Sequence, residues 1–166
     1  MSLCHLSDTI LSLDEVVRAT QALKRSGYEI AFTSGCFDLF HAGHSYLIDQ
    51  IDRPMQILVV GVNGDETVRR LKGPGRPIYT AEQRARIIAG LSGVDYVTIF
   101  EEGTPEAVLE ALRPDIYFKG GDYTLDELPE ADAVRSYGGR VQFVPRLPDC
   151  STSETIRRIR LCGSSA

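Results

Sequence analysis

Five short apolar runs alternate with stretches of helical spacing, and this alternation constrains the fold more than any other feature. The runs are Glu29–Thr33, Gln56–Val62, Val94–Phe100, Asp115–Phe118 and Arg140–Val144. They are rich in β-branched and aromatic residues and end at turn signals such as Asn63-Gly64-Asp65, so they read as buried strands. Between them lie segments with helix starts and stops. Ser12 precedes Leu13, Val16, Val17 and Leu23, and Gly27 follows as a stop. Ser45 to Ile51 and Glu66 to Leu71 are short helices, and Thr80-Ala81-Glu82-Gln83 is a capping box opening a helix to Leu91. Thr104-Pro105 starts a helix to about Leu112 with proline at its first position. Leu128 to Tyr137 stops at Gly138-Gly139, and Ser151-Thr152-Ser153 caps a last helix from about Glu154 to Leu161. Strands alternating with helices predict a parallel sheet covered on both faces, a Rossmann-like doubly wound α/β fold. No repeat or linker divides the 166 residues, so a single domain over 1–166 is expected.

Composition excludes several classes. Hydrophobic residues make up 43% and charged residues 25%, as in an ordinary soluble chain. A net charge of −5 argues against a nucleic-acid-binding surface. No apolar run approaches the ~20 residues that a membrane helix needs. The N-terminus shows no basic segment followed by an apolar core, so no secretory signal is read and a cytoplasmic location is expected. Cys4, Cys36, Cys150 and Cys162 form no Cys-x-x-Cys pair and read as free thiols.

The first strand runs directly into Ser34-Gly35-Cys36-Phe37-Asp38-Leu39-Phe40-His41-Ala42-Gly43-His44. A strand–turn–helix junction of this kind is where open α/β sheets bind ligands. Gly35 permits a tight turn and close approach of a ligand to the backbone. The helix start offers unpaired N–H groups to a phosphate. His41 and His44 are three apart and share one face, with Gly43 between them carrying no side chain to block a ligand. Two imidazoles there can donate to a phosphate as charge builds in a transition state. Two bland readings stand beside this one: uninvolved N-cap histidines, and a zinc pair. The zinc reading is weak, because no nearby Cys or carboxylate cluster completes a tetrahedral set, and no metal ligand is assigned.

Further candidates lie at the other strand ends. Lys72 and Arg76 sit in Lys72-Gly73-Pro74-Gly75-Arg76-Pro77, where cations can close over phosphates or simply face water. Lys119-Gly120-Gly121-Asp122 follows a strand; it is either a plain turn or a place where Asp122 accepts from a ribose hydroxyl or a base. Ser151, Thr152 and Ser153 open a helix and are either a cap or a triphosphate site. Arg84 and Arg157 either reach phosphate or pair with surface acids.

The Gly-x-Phe-Asp and His-x-Gly-His motifs after a strand resemble the signature of the nucleotidyltransferase superfamily that includes the cytidylyltransferases and adenylyltransferases. Taken with Arg-Leu-Lys-Gly-Pro-Gly-Arg-Pro and Lys-Gly-Gly-Asp-Tyr, the chain from about residue 28 to 160 resembles the heptose-phosphate adenylyltransferases of bacterial ADP-heptose synthesis, in a stand-alone form without a sugar kinase. The resemblance implies parallel strands in the order 3-2-1-4-5. It implies transfer of AMP from ATP to D-glycero-D-manno-heptose 1-phosphate, with Mg²⁺ carried on the ATP. By the same resemblance His41, His44 and Lys72 are catalytic. Ser34, Gly35, Cys36, Phe37, His41, Gly43, His44, Gly120, Gly121, Asp122, Ser151, Thr152 and Ser153 hold the nucleotide. Asp38, Lys72 and Arg76 face the sugar phosphate. Relatives of this kind are often homodimers. The alternatives are a cytidylyl- or guanylyltransferase using glycerol 3-phosphate, another sugar phosphate or flavin mononucleotide, and a nucleotide-binding module without turnover.

Overall fold

The protein's structure is a computed structural model that describes residues 9–51, 54–121, 124, 126 and 128–163. Its strands are β1 (Glu29–Gly35), β2 (Gln56–Asn63), β3 (Tyr96–Phe100), β4 (Ile116–Gly120) and β5 (Arg140–Val144). All pair in parallel, in the order β3-β2-β1-β4-β5. This is the Rossmann-like α/β sheet that the alternation predicts, in the order that the resemblance implies.

Side chains alternate between two cores because successive strand residues face opposite ways. Ala31, Leu58, Val60, Val62, Ile116 and Phe118 meet Ile48 of α2 (Ala42–Asp49) and Ala85 and Ile88 of α4 (Ala81–Ala89). On the other face Ile30, Phe32, Val59 and Tyr117 meet Val16 of α1 (Leu13–Arg25), Leu109 of α5 (Glu106–Leu112) and Val134 of α6 (Ala131–Ser136). Helix α3 (Asp65–Lys72) follows β2 and buries Thr67 and Val68, while α7 (Thr152–Gly163) follows β5.

Several boundaries differ from the sequence reading, each for a local reason. β1 runs on through Ser34 and Gly35, which pair with Gly61 and Val62 of β2. Asp95 and Asp115 stand just before β3 and β4, because their carboxylates accept from the neighbouring strands' Leu58 N–H (2.8 Å) and Ile30 N–H (2.7 Å). Pro105 occupies the cap position, and α5 starts one residue later than expected. Lys72 is the last residue of α3, so the loop begins at Gly73, whose φ of +91° suits glycine. α2 begins at Ala42 and α7 at Thr152, both earlier than the hydrophobic spacing suggested, because the preceding His41 and Ser151 cap them.

Candidate active site

The strand order reverses direction between β1 and β4, and ligands in open α/β sheets bind at the carboxyl ends of such a pair. A cleft of about 380 Å³ opens there, lined by Ser34 to Asp38, His41, Gly43, His44, Lys72, Arg76, Lys119, Gly120 and Ser151 to Ser153, among others. The structure therefore brings together the described site candidates from four separate segments, apart from Gly121, which follows Gly120 without being part of the lining. Asp122 lies outside the described residues.

The two histidines cap the helix that carries them. His41 is the N-cap of α2, and its Nδ1 accepts from the Gly43 N–H at 3.2 Å. His44 Nδ1 accepts from the His41 N–H at 3.4 Å. With both Nδ1 atoms acting as acceptors, each ring carries its proton on Nε2. The rings stack with centroids 3.8 Å apart. Burial, together with the charge of His41, pushes His44 down to about 3, and burial also lowers His41. Both are neutral Nε2–H donors at neutral pH. Gly43 is needed here for more than ligand access. A Cβ on it would lie 3.1 Å from the His41 ring and 3.3 Å from Cys150 Cβ, so a side chain would push the ring out of place.

The loop before the histidines is strained and anchored. Phe37 (φ +48°) and Leu39 (φ +45°) adopt the left-handed region that side chains avoid. Asp38 lies between them, almost fully buried. Its carboxylate accepts from Arg76 Nε (2.6 Å), Ile78 N–H (3.0 Å) and Tyr79 N–H (3.1 Å). Burial alone would raise its pKa; these donors outweigh burial and hold it below the usual carboxylate range. Asp38 thus ties the β1–α2 loop to the α3–α4 loop, and Arg76 is turned toward it.

Arg84 does pair with an acid, Asp65, as one of the two readings had it, but from a buried position and with two backbone carbonyls besides. It is fully buried, with Nη1 donating to the Cys36 carbonyl (2.6 Å), Nη2 to Asp65 (2.7 Å) and Nε to the Tyr79 carbonyl (3.0 Å). The signal was its place on the face of α4 shared by Ala81, Ala85 and Ile88, an arginine among apolar residues. Arg157 pairs with Glu154 on the exposed side of α7.

Among the described residues, Lys72 makes no ion pair, and its exposed side chain reaches the rim of the cleft. Ser151 caps α7 by accepting the Glu154 N–H at 3.1 Å. The Thr152 hydroxyl donates to the Asp38 carbonyl, so Thr152 offers a ligand its N–H and not its hydroxyl. Cys36 donates to Asn63 Oδ1 at 3.9 Å, and burial raises its thiol pKa. Sequence reasoning missed Arg146 and Cys150, which also line the cleft. They lie in an irregular segment after β5, where no periodicity points at a site.

Comparison with known proteins agrees with this geometry. Residues 32–158 match the cytidylyltransferase-like family. The chain is 44% identical over 151 residues to the bifunctional protein HldE of Alcanivorax borkumensis, covering 91% of this chain and 32% of that protein. It is 46% identical over 158 residues to HldE of Mesorhizobium japonicum, covering 95% and 32%. The chain thus spans about a third of the length of these relatives. A solved structure, the lipopolysaccharide core biosynthesis protein from Thermoplasma volcanium, is similar with a TM-score of 0.59 at 26% identity, covering 72% of this chain and 96% of that one. A parallel sheet reversing between β1 and β4, a His-x-Gly-His helix start in the resulting cleft and a match over residues 32–158 converge, and the chain belongs to the cytidylyltransferase-like family.

Proposed function

We propose that the chain is a sugar 1-phosphate adenylyltransferase, transferring AMP from ATP to D-glycero-D-manno-heptose 1-phosphate and releasing pyrophosphate. The observation that carries this is the His41–His44 pair, two neutral Nε2–H donors held side by side at a helix start that lines a cleft. The similarity to the HldE proteins over more than nine-tenths of this chain supports the choice of sugar and nucleotide.

In this reading a phosphate oxygen of the sugar attacks the α-phosphorus of ATP. A new P–O bond forms, the bond from the α-phosphorus to the bridging oxygen breaks, and pyrophosphate leaves. The attacking oxygen is already ionised, so no protein nucleophile is required. The protein's work is positioning and charge stabilisation. His41 and His44 donate to the α-phosphate oxygens as their charge grows. Lys72 neutralises the attacking or leaving phosphate. The N–H groups of the first turn of α7 and the hydroxyl of Ser153 receive the β- and γ-phosphates. Gly35 to Phe37 and Gly120 line the nucleotide through backbone atoms, and the family resemblance assigns Gly121 and Asp122 to the ribose or base. Asp38 and Arg76 shape the sugar-phosphate end.

Among the described residues no three His, Cys, Asp or Glu side chains converge, and both oxygens of Asp38 already accept hydrogen bonds. These residues do not form a Mg²⁺ cage. We therefore assign Mg²⁺ to the phosphates of the incoming ATP, where it keeps its waters and neutralises charge. Among the described residues no helix is long and apolar enough to cross a membrane, and a cytoplasmic location is proposed, beside ATP and sugar phosphates. A homodimer is also proposed, supported by the exposed apolar Ile78 and Leu161, which line a second cleft beside α7. Light scattering on the purified chain tests that assembly.

The deciding experiment is pyrophosphate release with Mg²⁺, pairing ATP, CTP and GTP with each anomer of heptose 1-phosphate. Release with ATP and the β-anomer supports the reading. Release only with CTP or GTP, or only with glycerol 3-phosphate or flavin mononucleotide as acceptor, replaces it with one of the alternatives.

A further inference from the structure

Beneath the cleft, four side chains from three segments meet in one hydrogen-bond network that the proposed chemistry does not use. Tyr117 is fully buried on β4, and Glu130, just before α6, is almost so. The Tyr117 hydroxyl donates to Glu130 Oε1 at 3.2 Å. Lys119 Nζ donates to the same Oε1 at 2.8 Å and to the Tyr117 oxygen at 3.3 Å. Ser34 Oγ lies 3.2 Å from the Tyr117 oxygen. Ser34 and Lys119 both line the cleft.

The proton inventory fixes the direction of every bond. An ionised carboxylate only accepts, and a charged acceptor outcompetes a neutral one for the single phenol proton. Burial raises the Tyr117 pKa and keeps it protonated. The Tyr117 proton goes to Glu130, so the Tyr117 oxygen accepts from Lys119 and from Ser34. The Ser34 hydroxyl spends its only proton downward and turns lone pairs toward the cleft. Lys119 spends two of its three N–H bonds on the network and keeps one. Two groups on one oxygen at a tetrahedral angle stand about 5 Å apart, a gap that one bridging oxygen spans with two ordinary hydrogen bonds.

We propose that Ser34 and Lys119 together recognise a sugar hydroxyl, and that Glu130, through Tyr117, is the positioning residue that gives Ser34 its acceptor role. A hydroxyl donates to Ser34 and accepts from Lys119 at once. An ionised phosphate oxygen cannot donate, and an adenine amino group does not accept. The hydroxyl belongs either to the ribose of the nucleotide or to the acceptor sugar. The inference deepens the proposed function and rests on it.

The test is calorimetric binding to the whole chain. The probes are ATP, 2′-deoxy-ATP, 3′-deoxy-ATP, heptose 1-phosphate and its mono-deoxy analogues. The wild type is expected to bind one analogue about tenfold more weakly than its parent, the scale of one hydrogen bond that involves a charged group. Whether that analogue is a nucleotide or a sugar identifies the source. In Ser34→Ala and in Glu130→Leu, which leaves the Tyr117 hydroxyl no carboxylate to donate to, the parent should weaken toward the level of that analogue while the analogue's own affinity stays put, and Ser34→Thr should restore the difference. General damage would weaken parent and analogue alike, and that result overturns the proposal. So does a wild type that binds every analogue as tightly as its parent. A wild type that binds neither ATP nor heptose 1-phosphate overturns the proposed function itself, and this inference with it.

Discussion

Replacing Arg84 by methionine should both destabilise the protein and slow it. Buried ion pairs are often replaceable by apolar groups without loss, because desolvation cancels their attraction. Arg84 differs in its partners. Two of its three acceptors are the carbonyls of Cys36 and Tyr79, and the third, Asp65, has a side chain 35% exposed. Methionine fills the volume but leaves both carbonyls without their donor, at about 1–3 kcal/mol each. Asp65 recovers part of its loss from water, and the relieved desolvation of the guanidinium offsets part of the rest. The expected net loss is about 2–4 kcal/mol. In urea this lowers the unfolding midpoint by roughly 1–2 M at unchanged slope. Arg84→Lys should recover less than half of it, since a single ammonium cannot reach three acceptors on three segments. The carbonyls of Cys36 and Tyr79 belong to the two loops that frame the cleft, so kcat for pyrophosphate release should fall further than ATP affinity. A methionine variant within about 0.5 kcal/mol of wild type would refute the reasoning, because it would mean that the carbonyls find other donors.

Three further expectations follow from the histidine geometry. Gly43→Ala forces a contact of 3.1 Å on the His41 ring and should lower kcat about tenfold with a small change in stability, read by steady-state kinetics beside a thermal melt. His44→Ala should cost about 3 kcal/mol of transition-state stabilisation, a hundredfold or more in kcat, with ATP binding largely kept; loss of binding at unchanged kcat would remove its role in the transition state. His44, held at about 3, stays neutral when folded but takes up a proton near pH 6.5 when unfolded. Its contribution to stability is therefore present above that pH and lost as pH falls toward 3, at about 1.4 kcal/mol per pH unit. The slope of unfolding free energy between pH 5 and 6 should be shallower in His44→Asn than in wild type, and the rate should show no limb from His44 between pH 5 and 8.

How much of this was legible in the sequence divides along one line. The strands and their shared sheet were readable because β-branched runs such as Gln56–Val62 are buried on both faces and carry their own signal. The His41–His44 pair was readable because the motif encodes spacing along one helix. The strand order came from resemblance alone, since no local pattern records which strands lie side by side. Glu130 and Arg146 were not read as site residues, and Arg84 was read as a phosphate contact or a partner of surface acids, not as a buried tie between loops. Arg84 bonds the Cys36 carbonyl 48 positions away and Glu130 bonds Tyr117 in another element, and no periodicity reports such contacts. The extent of α2 was also misjudged: hydrophobic spacing pointed to Ser45, whereas the caps from His41 and His44 start the helix at Ala42.

That last error is informative about the site. His41 and His44 serve as helix caps through Nδ1 and leave Nε2–H for the ligand contact proposed above, so one set of bonds sets both the helix start and the tautomer. A side chain that caps equally well but has one polar atom, such as serine, would keep the helix and lose the donor. A lysine would keep a donor and lose the cap. Histidine satisfies both demands with one ring, and the low pKa of His44 keeps Nδ1 free to accept. Beneath this layer, Asp38, Arg84 and Glu130 spend their charges on the protein's own backbone and side chains. The cleft thus presents the neutral, fixed histidine donors together with the cations Lys72, Lys119 and Arg146 in its lining, while the buried charges hold the frame.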